Sequence, residues 1–313
     1  MYKQILNSEI DILLPTCNGQ CFIDEMLASV QRQTVPGWRL LIRDDGSDDA
    51  TREHLAAFAR VDSRASVAEG EHVGVIAGMD ALLRASTAPY FMPADQDDIW
   101  RPDKIAVLLE AMRGLEERHG PERPLLVYSD AELIDSAGAS LGTTFRRVLG
   151  VPDDWEKEIR SLLVMSPAPG CTMLGNAALR RAALPLPEAN AIYMHDWWLL
   201  LCAATLGAIA CVPAALVRYR QHSANALGAR RRWPRTSFAA RLAASRAAVR
   251  RTQRQAETLL KRHGAAMPRA YRNLCAAWAA MPALGRIERI RRAVKFGFAK
   301  PGALRRVVFY AVL

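Results

Sequence analysis

The chain has 313 residues, half of them hydrophobic and 24% charged, the balance of an ordinary globular protein with one large domain or one domain with an extension. Glu9 and Asp11 interrupt the first twenty residues, and the longest apolar stretches, 197–205 and 206–217, fall short of the ~20 residues that span a bilayer; neither a secretory signal nor a membrane-crossing helix is expected. The net charge of +10 divides unevenly: residues 1–217 hold 19 Lys and Arg against 30 Asp and Glu, whereas 218–313 hold 23 against 2, marking two regions with different partners.

In chain order, "IDILLP" is an apolar run of strand length, followed by a helix pattern over 23–33. "WRLLIRDD" reads as a second strand and 51–59 as a helix; a weaker strand lies at 65–68, with a helix over 76–85. "PYFMPAD" supplies a fourth strand, 104–118 a helix after Pro102, and "PLLVYSD" a fifth strand. Strands alternating with helices predict an α/β fold, a mainly parallel sheet covered on both faces. Beyond residue 225 the pattern becomes Ala/Arg-rich helix, broken at Pro234, Gly264, Pro268, Pro282 and Pro301. Six cysteines lack a CxxC pair or a metal-ligand rhythm and read as free thiols in a reducing cytosol.

Ligands of such sheets bind beyond the carboxyl ends of the strands. Three polar motifs fall there: "PTCNG" after the first strand, "DDGSDD" after the second and "DQDD" after the fourth. One alone could be turn chemistry, since Asp, Asn, Gly and Ser bond their own backbone in turns. Three on one rim point to a single acidic site. Crowded carboxylates suit a hard divalent cation shared with phosphates, or an acid/base pair for hydrolysis.

The segments "LLPTCNG", "IRDDGSDDAT" and "ADQDDIWRPDK" resemble the nucleotide-sugar-binding half of a family 2 glycosyltransferase of the GT-A fold. "GCTMLGN", "HDWWLLL" and "YRQHSAN" are similar, more narrowly, to bacterial rhamnosyltransferase-like members. The resemblance implies a GT-A catalytic domain over 1–225 and a basic helical extension over 226–313. It implies that Pro15, Thr16, Asn18 and Gly19 line the base and ribose pocket and that Asp45 accepts from the nucleobase imide. It makes Asp97 a direct ligand of Mg²⁺ or Mn²⁺, Asp95 a contact to ribose or metal-bound water, and Asp98 a residue that orients the loop. His222 would be a third metal ligand and Arg220 a phosphate contact. Asp196 would be the general base, although its place at the start of an apolar helix equally suits a cap. Gly170, Cys171, His195 and Trp197 would face the acceptor. The implied activity is inverting transfer of one sugar, first from dTDP-rhamnose and alternatively from a UDP-hexose or UDP-N-acetylhexosamine, to a lipid-linked or growing surface-polysaccharide glycan. The Gln-x-x-Arg-Trp signature of processive synthases is missing, and the chain departs from the family pattern at Cys17, His72-Val73-Gly74 and Met79-Asp80. Two other readings stand beside it, nucleotidyl transfer and a non-catalytic glycan- or lipid-binding protein. The first usually needs a basic phosphate loop that "PTCNGQC" lacks, and the second has no need of Asp97 and Asp196.

The basic region carries "ARRRWPR", "RAAVRRTQR" and "RIERIRRAVKFGF". No nucleic-acid module accompanies these clusters, so nucleic acid is not expected as a partner. An anionic membrane surface fits better: Ile287, Ile290, Val294 and Phe298 fall at helix spacing on one side, and "ALRRVVFYAVL" adds a second contact. The alternative is helices packed on the catalytic domain or on a dimer partner. The expected location is cytoplasmic, peripheral on the inner face of a bacterial plasma membrane.

Overall fold

The computed structural model describes residues 9–222 and 238–313. The "ARRRWPR" cluster, the end of "YRQHSAN" and the expected boundary at 225 lie outside the described residues. Strands β1 (Ile10–Thr16), β2 (Trp38–Asp44), β3 (Ala65–Glu69) and β4 (Tyr90–Pro93) are joined by helices α1 (Ile23–Gln31), α2 (Thr51–Val61) and α3 (Val75–Ala85). These four strands are parallel, in the order β3-β2-β1-β4. Next come β5 (Ile99–Trp100), α4 (Lys104–His119), β6 (Leu125–Ile134), β7 (Ser140–Thr144), α5 (Phe145–Leu149), α6 (Ile159–Leu162), β8 (Met173–Asn176) and α7 (Ala177–Ala183). The chain continues through α8 (His195–Leu206) and β9 (Ala208–Arg220) to α9 (Phe238–His263), α10 (Arg269–Ala279), α11 (Arg286–Phe296) and α12 (Ala303–Val312).

The strands carry two apolar faces because side chains alternate across a sheet. On β1, Ile10, Ile12 and Leu14 join the core beneath α1 and α4, while Leu13 turns to the core beneath α3 and α8. Short β8 lies antiparallel between β4 and β6 and couples the first four strands to the parallel pair β6–β9. Pro213, which interrupts an apolar stretch in the sequence, sits inside β9. There the register skips from Ser129↔Val212 to Asp130↔Ala215, so the residue without an N–H falls in a bulge rather than a ladder position.

The basic region packs on the rest of the molecule. Helix α8 is buried on nearly every side, between the sheet and α9. Arg262 of α9 donates to the carbonyls of Ala183 (3.1 Å) and Pro185 (2.5 Å), and Gln255 accepts from the Tyr193 amide (2.8 Å). Trp278 of α10 lies 5.0 Å from the ring of Phe298 and 5.9 Å from that of Phe309. The expected apolar stripe needs a correction here. Helix α11 stops at Phe296, Gly297 takes the left-handed conformation that ends helices, and Phe298 turns into the core. Ile287 and Val294 remain exposed.

Candidate functional site

A cleft of about 850 Å³ opens at the carboxyl ends of β1, β2 and β4 and continues along α8 and α9. Its first wall is the turn after β1, where Pro15, Thr16 and Asn18 face the cavity. Asn18 adopts a left-handed backbone (φ 49°), which asparagine tolerates better than most residues. Its amide donates to Ser47 Oγ (2.9 Å) and its Oδ1 accepts from the Asp48 amide (2.9 Å), tying this turn to the one after β2. Gly19 packs under Gln96 instead of lining the cleft; a Cβ there would lie 2.5 Å from Gln96 Oε1. Gln96 in turn accepts from the Cys17 amide (2.8 Å) and donates to its carbonyl (2.9 Å).

Asp44, buried at the end of β2, accepts from Ser47, Arg52 and Thr16. Burial pushes its carboxyl up, and those donors outweigh it and hold the group below the usual range. Asp45 lines the cleft, but its oxygens are already engaged. They accept from the amides of Val73 (3.0 Å) and Gly74 (2.8 Å) and from Arg43, and His72 Nδ1 lies 3.0 Å away. Burial raises its pKa, and these bonds more than offset that. The acceptor expected for a nucleobase is therefore committed to the 72–74 loop in this structure.

The "DQDD" motif follows β4. Asp95 and Asp97 face the cavity, and Asp97 Oδ2 lies 2.6 Å from His222 Nε2. Asp98 points inward and accepts from the Arg220 amide (3.0 Å). Ligand atoms of Asp95, Asp98 and Cys171 lie within 4.8 Å of one another, the one such trio found among the described residues. Beneath them the buried Nζ of Lys104 donates to the Cys171 carbonyl (2.6 Å) and sits 3.0 Å from the Trp100 ring centroid, and burial pushes its pKa well below the usual lysine range. Burial, then the charges of Asp97 and Asp196, push Asp95 up to about 7; burial, then Asp97 and Asp95, push Asp98 well above the usual range. Without a counter-ion the charged forms of these carboxyls are disfavoured, and a hard divalent cation would relieve that; Asp95, Asp97 and His222 face the cavity and could hold one, although of the three only Asp95 belongs to the close trio.

Asp196 lies in the first turn of α8, one residue beyond the position after its cap, Met194. It is therefore not the helix cap. Its oxygens accept from the amides of Gly170 (3.0 Å) and Trp197 (2.6 Å), and burial raises its pKa. Gly170 permits that approach: a Cβ there would sit 3.1 Å from Asp196 Cβ and 3.4 Å from His195 Nε2. His195 is buried, which lowers its pKa and favours the neutral ring. Trp197 donates from its indole to the Leu162 carbonyl (2.8 Å) and shows one part to the cleft. Cys171 lies behind the cleft wall, its carbonyl fixed by Lys104.

Arg220 differs from its expected role. Its guanidinium is buried, bonded to the carbonyls of Asp97 (2.8 Å) and Ser136 (3.0 Å) and to Glu25 (2.5 Å), and it braces the acidic loop instead of facing the cavity. Gln96 and Lys104 are site-forming residues that the sequence reading passed over. Both stand inside the quoted "ADQDDIWRPDK", so the signal was position within the motif and not residue type. Lys300, Val249 and Thr252 also line the cleft, brought there by the helices of the basic region.

Residues 11–118 match the family model described as Glycosyl transferase family 2. The chain is 26% identical over 217 residues to an "Uncharacterized glycosyltransferase" of Haemophilus influenzae, covering 68% of this chain and 65% of that one. It is 30% identical over 104 residues to the UDP-Glc:alpha-D-GlcNAc-diphosphoundecaprenol beta-1,3-glucosyltransferase WfgD of Escherichia coli, covering 33% and 40%. The chain thus spans less than two thirds of the length of these curated relatives. The solved mannosyltransferase PcManGT from Pyrobaculum calidifontis, in complex with GDP-Man and Mn²⁺, superposes with a TM-score of 0.55 at 13% identity, over 97% of this chain and 78% of that one. With the parallel strands, the acidic loop after β4 and the matched segment in agreement, residues 11–118 form a domain of the Glycosyl transferase family 2 type, and the chain has the GT-A fold.

Proposed function

We propose that this chain transfers a single sugar from a nucleotide donor to a glycan hydroxyl with inversion at the anomeric carbon. One observation carries the reading: Asp95, Asp97, His222 and Asp196 open onto the same cleft at the carboxyl edge of β1 and β4. Asp196 takes the proton of the acceptor hydroxyl as its oxygen bonds to the anomeric carbon, and the bond from that carbon to the diphosphate breaks. Two backbone amides fix the carboxylate, so its orientation is set before substrate arrives. Gly170 leaves room beside it, and neutral His195 and Trp197 form the adjoining wall. Asp95, Asp97 and His222 would hold Mg²⁺ or Mn²⁺, which when bound neutralises charge developing on the leaving diphosphate. Arg220 acts through the Asp97–Asp98 backbone as a positioning residue.

The donor read from the motifs is dTDP-rhamnose. A UDP-hexose or UDP-N-acetylhexosamine is the second reading, favoured by the UDP-Glc in the name of the Escherichia coli relative. The acceptor is read as lipid-linked, met at an anionic membrane surface through α11 and α12. The test is thermal unfolding with each nucleotide sugar, with and without EDTA. A ligand at about a hundred times its Kd adds about 2.7 kcal/mol. The expected outcome is stabilisation by one donor or its nucleoside diphosphate, abolished by EDTA and by Asp97→Ala. No stabilisation of folded protein by any nucleotide with either metal would overturn the reading.

A further inference from the structure

The cleft contains a cation with no counter-charge. Lys300, in the turn between α11 and α12, is half-buried and lines the cavity. Among the described residues no carboxylate pairs with it, and the undescribed segments 1–8 and 223–237 contain no Asp or Glu. The basic region as a whole offers two acidic residues: Glu257, which pairs with Lys261 (2.7 Å), and Glu288, which lines a separate groove. The charge felt most by Lys300 is that of Arg305, of like sign, and burial together with Arg305 lowers its pKa. Arg305 is spent on the Val148 and Leu149 carbonyls at the end of α5.

Withdrawing an ammonium from water is costly unless an anion meets it. Two fully buried cations in this molecule have such partners: Arg39 is bonded to Asp11 (2.8 Å), and Arg220 to Glu25. Lys300 lies instead on an open cavity. The proposed nucleotide end of that cavity is made by lining residues up to 97 together with His222, which meets Asp97, whereas the rest of the lining that follows residue 144 includes Lys300. This second part is mostly apolar, with Val164, Met165, Val249 and Trp197, and includes the Gly170–Asp196 pair.

We infer that Lys300 recognises an oxyanion, phosphate or carboxylate, joined to an apolar group on the acceptor whose hydroxyl Asp196 deprotonates. The inference rests on the glycosyl-transfer reading and adds to it the chemical class of the acceptor. A lysine kept for structure alone would destabilise the chain when replaced; a lysine kept for a ligand leaves stability unchanged or higher when its charge is removed.

Full-length protein, Lys300→Gln and Lys300→Arg would be titrated with octyl phosphate, octanoate, inorganic phosphate and neutral octyl glucoside, below their micellar concentrations and without donor. UDP with Mn²⁺ would be titrated in parallel. The expected result is that octyl phosphate or octanoate binds the unaltered protein at least tenfold more tightly than octyl glucoside. Lys300→Gln removes that preference without lowering Tm, Lys300→Arg keeps it, and UDP affinity is the same in all three. Equal binding of charged and neutral probes, or a preference surviving in Lys300→Gln, would overturn the inference. So would a fall in UDP affinity on losing the charge, which would assign Lys300 to the donor, or inorganic phosphate binding as well as octyl phosphate, which would mark a free-anion site. If UDP fails to bind even the unaltered protein, the glycosyl-transfer reading falls by that measurement alone.

Discussion

At the residue scale the site turns on how Asp196 is held. Burial raises its pKa, while bonds from Gly170 and Trp197 favour the charged form; burial wins. A base must be ionised to accept a proton, so activity is present above its pKa and lost as pH falls through it. The acid limb of kcat is therefore expected above the ordinary aspartate range, and its disappearance in Asp196→Asn is checked by a pH–rate profile. That variant should lower kcat by about 10²- to 10⁴-fold, the usual contribution of a positioned base, with UDP affinity unchanged. A variant retaining full kcat would remove Asp196 from the chemistry. That Asp95 and Asp97 share a cleft with Asp196 was expected for the first two from the acidic motif at a strand end, and for Asp196 only from the family resemblance, since residue type alone suited a helix cap equally. The orientation of Arg220 was not legible in the sequence, since Glu25 and Ser136, far apart in sequence, decide where its guanidinium goes.

At the element scale, the first four strands and their helices fall within a few residues of the sequence expectation. Their apolar alternation and flanking turns agree, the consistency that makes local patterns readable. Four-residue β8 has no such signal, and its inversion between β4 and β6 is set by partners on both sides. The loop from Gly70 to Gly74 was equally hidden. Arg43 holds the Glu71 carbonyl (3.1 Å), a Cβ at Gly70 would come within 2.8 Å of Arg43 Nη2, and Gly74 needs a positive φ (82°). This loop occupies the acceptors of Asp45. For Asp45 to receive a nucleobase imide, the amides of Val73 and Gly74 must give up or share their bonds. UDP with Mn²⁺ should therefore change hydrogen exchange at Val73 and Gly74, read against the stable amides of β1 as an internal reference. If nucleotide binds and the exchange of these two amides stays as it was, the base is read elsewhere in the cleft.

At the scale of the whole molecule, the charge division acquires a geometry. The acidic part carries the cleft, and the basic part covers one side of it and presents the opposite side to solvent. Ile287 and Val294, seven residues apart on α11, are exposed by 70% and 61%; Leu304, Val307 and Val308 on α12 are exposed at spacings that share one helix face. Exposed Arg286, Arg291, Lys295 and Arg306 stand among them. Among the described residues no helix is long and apolar enough to cross a membrane, so lipid contact through these helices would be interfacial. Each cation near an anionic surface contributes about 1 kcal/mol, and at about 1 M salt the screening length falls to about 3 Å, which removes most of that attraction. The aliphatic contribution does not respond to salt in this way. Full-length protein is therefore expected to pellet with phosphatidylserine-containing vesicles at low salt, to be largely released at high salt, and to stay in the supernatant with neutral vesicles. Leu304→Glu with Ile287→Glu should abolish pelleting and leave UDP binding intact, because neither side chain lines the cleft. Retention in the supernatant with anionic vesicles at low salt would leave these two faces without a lipid partner and remove the membrane from the proposed function, while Asp196 and the acidic loop would stand or fall on their own measurements.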